Sequence, residues 1–192
     1  MKSNNNYSYG FILGELARGG QESQLMILMN QINKMDKNCC LIVWSYSENN
    51  IDHFKDLQKL GINVLLLSNQ SIYEKIRLSR LFLRDNNIIT LQSFSYYLNF
   101  FCWLICALSS SKSIGGIRSQ LVLYKDDYGF FQFWLNGIFP RKKISNNYSY
   151  KKTLDNKIIK ILFKNTTVVI NHIDIKKYYS NNSNKNSQII QT

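Results

Sequence analysis

The chain has 192 residues, a length that suits one compact domain with a single core. Hydrophobic residues make up 45% and aromatic residues 14% of the chain, which excludes an intrinsically disordered protein. The net charge is +12, but the basic residues are dispersed and Asn, Lys, Ile and Tyr are frequent throughout, so a compositional bias is the favoured explanation of the charge. No nucleic-acid-binding motif accompanies it, so we predict no nucleic-acid partner, and contact with anionic lipid head groups is the alternative.

Short apolar runs rich in β-branched and aromatic residues alternate with longer helical patterns along the chain. This order is typical of a parallel sheet built from βαβ units. Strands are predicted at residues 7–13, 39–46, 62–67, 88–92, 112–117, 142–145 and 167–170. Helices are predicted at residues 21–34, 51–60, 71–84, 95–108, 126–139 and 153–163. The expected fold class is α/β, a Rossmann-like parallel sheet with helices on both faces.

Single residues mark two of the predicted helix ends. Gly61 follows the helix at 51–60 and suits the left-handed residue that often ends a helix. Ser71 can cap the first turn of the helix at 71–84. The segment 180–192 is mostly Asn, Ser, Lys and Gln and carries too little apolar surface to order itself. We therefore expect one domain over residues 1–179, followed by an unstructured tail or the start of a missing domain.

The cysteines and the apolar segments indicate a cytoplasmic protein. Cys39 and Cys40 are adjacent and Cys102 and Cys106 lie one helical turn apart, so neither pair has the spacing of a disulfide or a zinc site. Residues 1–6 are polar and lack the pattern of a signal peptide. The most apolar window, 94–108, is shorter than the roughly 20 residues that a membrane span needs. No metal site is expected.

Ligands of such sheets bind beyond the carboxyl ends of the strands, so the residues there are the candidate site. After the first strand, Gly19 and Gly20 would let a backbone approach a ligand closely, and the following helix start favours a phosphate. The spacing is neither GxGxxG nor a Walker loop, and a tight turn that requires glycine is the alternative interpretation. Gln21 belongs to the same loop.

Three further strand ends carry polar residues. Gln92 and Ser93 follow the fourth strand and could bind an acceptor, although capping of the next helix is the favoured role of Ser93 or Ser95. Arg118 follows the fifth strand and could clamp an anionic group. His172 follows the last strand, with no acid or nucleophile at a useful spacing. The sequence contains no recognisable catalytic triad, so the catalytic residues stay unknown.

Read together, these segments resemble the amino-terminal domain of glycosyltransferase family four, which has the two-domain GT-B fold. The loop at 19–22 is similar to the family's Gly-Gly-x-Glu motif. The segment at 91–99 with SIGGIRS at 113–119 looks like an aromatic-rich turn followed by IGxIRS. PRKKISNN at 140–147 is similar to PRxLIxNS, and VVINHID at 168–174 resembles the NGID hinge. The sequence departs from the family at Gln92, Asn147 and His172, where members often have His, Ser and Gly.

The resemblance implies a retaining transfer of a sugar from a nucleotide sugar to a polysaccharide or glycolipid acceptor, without a metal or other cofactor. Gly19 and Gly20 would face the donor diphosphate, and Gln21, Gln92, Ser93 and Arg118 would lie on the acceptor side or in the cleft. The hinge strand would lie near 167–174, so most of the donor-binding domain would be absent. We therefore expect a hexosyltransferase fragment that is inactive alone and sits at the inner face of the membrane.

Two other interpretations stay open at the level of sequence. The first is a non-catalytic Rossmann-like binding module or a gene remnant, in which the aromatic residues Phe130, Phe131, Phe133 and Trp134 would form an exposed docking face, although a core stripe is the favoured reading of that pattern. The second is a different doubly wound enzyme, such as a nucleotide-dependent hydrolase or reductase, against which the missing cofactor fingerprint argues.

Overall fold

The computed structural model describes residues 8–16, 19–46, 51–118, 121–146 and 157–169. The tail at 180–192, the hinge residues from 170 onward and His172 lie outside these ranges, and so does Asn147. The predicted domain boundaries therefore stay predictions.

Seven strands and six helices alternate along the described residues. The strands are β1 (Tyr9–Glu15), β2 (Cys39–Ser45), β3 (Asn63–Leu66), β4 (Thr90–Ser93), β5 (Lys112–Ile117), β6 (Lys143–Ser145) and β7 (Thr166–Val168). The helices are α1 (Gly20–Lys34), α2 (Ile51–Lys59), α3 (Ile72–Asp85), α4 (Asn99–Ala107), α5 (Leu121–Ile138) and α6 (Lys157–Leu162). A short 3₁₀ turn, Tyr96–Leu98, precedes α4. The predicted α/β Rossmann-like fold class is confirmed.

The strands form one parallel sheet in the order β3-β2-β1-β4-β5-β6-β7. The chain first adds strands on one side of β1 and then crosses to its other side at β4. The direction of winding therefore reverses between β1 and β4, which makes their carboxyl ends the topological switch point of the sheet.

Alternation of side chains along the central strands produces a core on each face of the sheet. On one face Ile12, Cys40 and Ile42 pack with buried residues of α3 and α4. On the other face Phe11, Leu41 and Val43 pack with residues of α1 and α2. A smaller cluster joins β5 to α5 and to the turn after α6, and it consists of Tyr96, Ile117, Phe133 and Phe163. Helices thus cover both faces, as predicted.

Three predicted boundaries are wrong for identifiable reasons. The first strand continues through Gly14 and Glu15, which were expected in a loop, because β2 extends to Ser45 and pairs with Glu15. Helix α4 begins at Asn99 rather than at residue 95, because Ser95 is held in an extended conformation (φ −115°, ψ 127°). Helix α5 begins at residue 121 rather than 126, and its two halves meet at Gly129, whose φ of +75° only glycine adopts readily.

The predictions that Gly61 ends one helix and that Ser71 caps another are confirmed. Gly61 has a φ of +69° at the end of α2, and the Ser71 side chain accepts a hydrogen bond from the Glu74 amide at the start of α3. The sequence allowed two interpretations of the aromatic residues in α5, an exposed docking face or a stripe of core residues, and the structure shows part of each. Phe133 is buried in the core, whereas Phe130 and Phe131 are exposed. None of the helices in the described segments combines the length and the apolar character needed to cross a bilayer.

Candidate functional site

The candidate site is the crevice at the carboxyl ends of β1 and β4. The segment after β1 leads to α1 on one face of the sheet, and the segment after β4 leads to α4 on the other face. The two connections therefore diverge from neighbouring strands and leave a crevice between them. The residues that line these two connections decide what the crevice can bind.

On the β1 side, the start of α1 offers backbone amides to the crevice. Gly19 is the N-cap residue, has an extended conformation and provides no side-chain cap. A β-carbon added to Gly20 would meet no other atom within 4 Å, so this residue faces open space. The first amides of a helix lack intrahelical partners and carry partial positive charge. Gly19 and Gly20 thus form a surface that a phosphate group can approach closely. Ala17 and Arg18 lie outside the described residues.

Glu22 already places negative charge at this helix start. It occupies the third position of α1, and its side chain folds back so far that a β-carbon on Gly19 would collide with its carboxylate. This is the position from which a glutamate reaches back in a capping box. An incoming phosphate would therefore have to displace the Glu22 carboxylate, which can swing away because the side chain is only half-buried. Gln21, beside it, is also half-buried.

On the β4 side, two serine hydroxyls fix the turn rather than cap α4. The Gly14 amide donates a hydrogen bond of 3.0 Å to Ser95 Oγ, and Ser93 Oγ donates one of 2.7 Å to the Ser95 carbonyl. Neither hydroxyl accepts a hydrogen bond from the first backbone amides of the 3₁₀ turn or of α4. The predicted role of Ser93 or Ser95 as a helix cap is therefore wrong. Both serines are buried. Ser93 is therefore engaged inside the protein, and it supports the crevice wall.

Gln92 lies inside β4, which ends at Ser93, one residue beyond the predicted end of this strand at residue 92. Its Cα pairs with Phe11 of β1 and with Ile114 of β5, and it is half-buried on the face covered by α1 and α2. Gln92 and Ser93 therefore point to opposite faces of the sheet. The sequence grouped them as one polar patch because it placed the end of the strand one residue too early.

Close packing explains two glycines at the carboxyl ends of β1 and β5. A methyl group on Gly14 would overlap the Tyr97 hydroxyl, and one on Gly116 would overlap the Ser93 carbonyl oxygen. Glycine at these positions lets the turn after β4 lie directly against β1 and β5. The crevice wall is thus closely packed, with a side chain against Gly14 and backbone against Gly116.

Arg118 lies over the crevice wall through a contact with an aromatic ring. Its guanidinium carbon lies 3.9 Å from the centroid of the Phe94 ring, a cation–π geometry. Phe94 is itself tied to β1, because its amide donates a hydrogen bond of 2.8 Å to the Ile12 carbonyl. Arg118, which follows β5, is in this way held near the carboxyl ends of β1 and β4. It provides positive charge where the sequence predicted an anion clamp.

A buried pair of asparagines supports this edge, and the sequence reading missed its second member. Asn99 Oδ1 accepts a hydrogen bond of 2.8 Å from the Gly116 amide, and Asn99 Nδ2 donates to the Gly116 carbonyl at 3.2 Å. Asn136 Oδ1 accepts one of 2.9 Å from the Phe100 amide, which ties α5 to α4. An Asn inside an aromatic stretch of a predicted helix was the only sequence signal for Asn136.

The described residues offer no obvious catalytic or metal-binding group. Across the described ranges, no group of three or more His, Cys, Asp or Glu side chains is placed to hold a metal ion. All four cysteines are free thiols. Burial raises the pKa of the Cys39 thiol to about 11 and also raises the pKa of Cys40 and Cys102, so these three stay protonated at neutral pH. The described residues thus place backbone amides on one side of the candidate crevice and an arginine on the other.

These features define an α/β protein with a Rossmann-like fold and a ligand crevice at the switch point of its sheet. No family model and no curated protein matches the sequence. The fold does match solved structures. HepE of Anabaena in complex with UDP superposes with a TM-score of 0.71 at 11% identity, over 89% of this chain and 46% of HepE. The lipopolysaccharide outer core galactosyltransferase WaaB gives a TM-score of 0.65 at 12% identity, over 86% and 46%.

The matched fold is that of one half of a GT-B glycosyltransferase, since the chain spans about half the length of the solved structures it matches. HepE has also been solved with UDP-glucose. A UDP-GlcNAc 2-epimerase from Methanocaldococcus jannaschii shares the fold, with a TM-score of 0.55 at 12% identity over 84% of this chain and 45% of the epimerase. At these identities the likeness establishes the fold and not the reaction.

Proposed function

We propose that this chain is the acceptor-side half of a retaining glycosyltransferase that uses a nucleotide sugar, and that it acts with a donor-binding domain that its 192 residues do not include. The observation that carries the proposal is the crevice itself. An uncapped glycine pair at a helix start and an arginine stacked on Phe94 face the same switch point, in a fold that HepE shares and that was solved with UDP bound.

Each side of the crevice suits a different part of the reaction. The amides at Gly19 and Gly20 would contact the donor diphosphate, whose negative charge grows as the sugar departs. Arg118 would bind an anionic group of a substrate. Gln21 would lie beside the acceptor, and Gln92 and Ser93 would shape the wall. Because charge is stabilised by amides and by a guanidinium, we propose that transfer needs no metal ion or other cofactor.

The same reasoning predicts that the chain alone has little or no activity. Sugar transfer requires donor and acceptor to be held together and shielded from water, and the crevice described here supplies one wall of such a site. We propose a polysaccharide or glycolipid acceptor of hexosyl transfer, and a location on the cytoplasmic side of the membrane.

The decisive experiment starts from the gene. Sequencing beyond the codon for Thr192 should reveal an in-frame or adjacent donor-binding domain with paired glutamates. Co-expression of the two halves should then give transfer of labelled glucose from UDP-glucose or a related donor, with activity that survives EDTA. A stop codon followed by unrelated sequence would refute the catalytic proposal.

A pair of substitutions separates a role in binding from a role in folding. Gly20→Ala adds a methyl group in open space, so we expect stability to be kept or slightly increased while the close approach of a diphosphate is hindered. Ser109→Ala serves as a control at the other end of the sheet, where the hydroxyl bonds the Cys106 carbonyl. If Gly20→Ala leaves kcat/KM of the reconstituted enzyme unchanged, the diphosphate does not bind at this helix start.

The second candidate function is a binding module without catalysis, or the product of a gene remnant. The observation that favours it is that the two serine hydroxyls of the crevice wall are buried and engaged in hydrogen bonds within the protein. Binding of UDP by the isolated chain, without transfer in the presence of any neighbouring gene product, would support this alternative. The epimerase likeness adds a further outcome, which is interconversion of a nucleotide sugar without an acceptor.

A further inference from the structure

A second concave surface lies at the opposite end of the sheet from the crevice. It is a groove of about 580 Å³ between the later turns of α3 and the connection from α4 to β5. Arginines and apolar side chains dominate its lining, principally Arg77, Arg80, Arg84, Ile89, Leu108 and Ser110. We call it the α3 groove.

The α3 groove is separate from the candidate site. Ile89 immediately precedes β4, and Ser110 lies just before β5, so the groove is at the amino ends of these strands. The crevice is at their carboxyl ends, about 13 Å away along the four residues of β4 at roughly 3.3 Å per residue. A ligand in the groove would therefore not compete with one in the crevice.

The three arginines line one side of the groove because they recur at helical spacing along α3. Arg80 Nη2 donates a hydrogen bond of 2.7 Å to the Leu108 carbonyl, and Arg80 Nε is buried without a hydrogen-bond partner in the described part of the chain. No acidic residue lines the groove. Arg80 thus carries an unneutralised charge and an unused donor at the centre of the groove, where an anion would complete its bonding.

The two outer arginines are available at low cost. Arg77 pairs with Glu74, and Arg84 Nε donates to Asp85 at 3.1 Å. Both pairs are solvent-exposed, and exposed ion pairs contribute little to stability because water screens them. An anion with several oxygens could therefore draw both guanidinium groups away from their carboxylates.

Exposed apolar side chains border the same arginines. Leu108 is 63% exposed and Ile89 is 40% exposed, and both line the groove. Large aliphatic side chains are stabilised when their apolar surface leaves water. A small soluble anion would leave both of them in water, whereas a membrane surface offers phosphate for the arginines and acyl chains for the leucine and isoleucine.

We propose that the α3 groove docks the protein on a membrane by seating the phosphate of an anionic phospholipid among Arg77, Arg80 and Arg84 while Leu108 and Ile89 enter the interface. Since the crevice opens at the opposite end of the sheet, docking in this way leaves it accessible to a nucleotide sugar and, of the two acceptors proposed above, fits a polysaccharide rather than a glycolipid held in the same membrane. The proposal does not depend on sugar transfer, because lipid binding is measured without any sugar nucleotide.

Co-sedimentation of the full 192-residue chain with vesicles tests the proposal. We expect the chain to bind vesicles of phosphatidylcholine mixed with phosphatidylglycerol and to bind pure phosphatidylcholine far less. Changing Arg77, Arg80 and Arg84 together to Gln should weaken binding at least about tenfold, since each basic residue near an anionic surface contributes about fivefold. Leu108→Ser should weaken it several-fold at unchanged net charge.

Matched variants separate the groove from the overall charge. Lys34, Lys55 and Lys59 changed together to Gln remove the same charge from α1 and α2, which cover the other face of the sheet. Ile27→Ser removes an equally exposed aliphatic side chain from α1. Urea unfolding of every variant shows that it is folded. Equal losses in the lysine and arginine variants would overturn the proposal in favour of diffuse attraction.

A further arm distinguishes lipid from a soluble anion. If inorganic phosphate releases the chain from vesicles much more effectively than NaCl of the same ionic strength, and Leu108→Ser binds like the wild type, the groove is a site for a free phosphate compound and the membrane proposal fails. Release by both salts alike, with weakened binding of Leu108→Ser, is the expected result.

Discussion

Lys143 provides a sharp test of the packing described here. It lies in β6 with only 1% of its surface exposed. Its ammonium group donates hydrogen bonds to the carbonyls of Pro140 at 2.7 Å and Leu162 at 3.5 Å, and it lies 5.5 Å from the Phe163 ring centroid. No ion pair among the described residues includes it. Burial lowers the pKa of Lys143 from 10.5 to about 8, because desolvation disfavours the charged form.

The sign and size of the pH effect follow from that pKa. Below about pH 8 both the folded and the unfolded chain hold the proton, and the folded chain bears the cost of a buried charge. Between about pH 8 and pH 10.5 the unfolded chain holds more protons, so the free energy of unfolding rises with pH. The full rise is about 3 kcal/mol, at about 1.4 kcal/mol per pKa unit.

Lys143→Met removes the titrating group and keeps a side chain of similar length. The free energy of unfolding of the wild type and of Lys143→Met is measured with urea at several pH values between about 7 and 11. We expect the difference in free energy of unfolding between wild type and variant to shift by about 3 kcal/mol in favour of the wild type as the pH rises. Lys142→Met, at the exposed neighbouring position, should run parallel to the wild type.

Parallel curves for wild type and Lys143→Met would refute the reasoning, because they would mean that Lys143 is solvated in the folded protein. The thiol of Cys39 acts in the opposite direction, because burial raises its pKa from 9.0 to about 11. Its contribution to the free energy of unfolding is therefore lost as the pH rises from about 9 to about 11. That contribution is common to both proteins and cancels in their difference.

Two further predictions concern the edge between β4 and β5. Asn99→Leu should lower the free energy of unfolding by about 2–5 kcal/mol, measured by urea unfolding, because it leaves the buried amide and carbonyl of Gly116 without partners; a loss below about 1 kcal/mol would contradict this account. Gly116→Ala should also destabilise strongly, since the added methyl group meets the Ser93 carbonyl oxygen, whereas Gly20→Ala, made as its control, should not. Equal unfolding midpoints for the two alanine variants would refute the contact.

The fold could be predicted from the sequence because local patterns specify it. The apolar run from Cys39 and the charged, periodic stretch from Ser71 each have one reasonable structure, and β5 was predicted with its observed bounds. The parallel arrangement followed from the alternation of these elements. Local patterns do not determine where a strand ends. The strand β1, for example, continues to Glu15 because Ser45 of β2 lies beside it.

The candidate site was predicted less completely, because its key contacts join distant parts of the chain. The hydrogen bond between Gly14 and Ser95 spans 81 residues, and that between Phe100 and Asn136 spans 36. No local pattern reports such a pairing. The glycine loop and Arg118 could be found because each follows a strand directly, and a position at the carboxyl end of a parallel strand is itself informative.

The divergence of β4 from β5 connects the fold to the candidate site. The two strands pair only from Thr90 to Gln92, after which the chain turns away at Phe94 while β5 continues beside β6. A strand that loses its neighbour exposes buried amides and carbonyls, which must find other partners. The Asn99 side chain bonds both groups of Gly116 and so replaces the missing strand.

Since the polar groups of Ser93, Ser95 and Asn99 are used inside the wall, they are not free to recognise a ligand. Among the described residues, recognition in the crevice would then rest mainly on the amides at the start of α1, with the guanidinium of Arg118 adding positive charge from its position over the Phe94 ring. Substitutions in the wall should therefore change stability and activity together. Gly20→Ala should reduce binding while the free energy of unfolding stays close to that of the wild type, because the added methyl group meets open space.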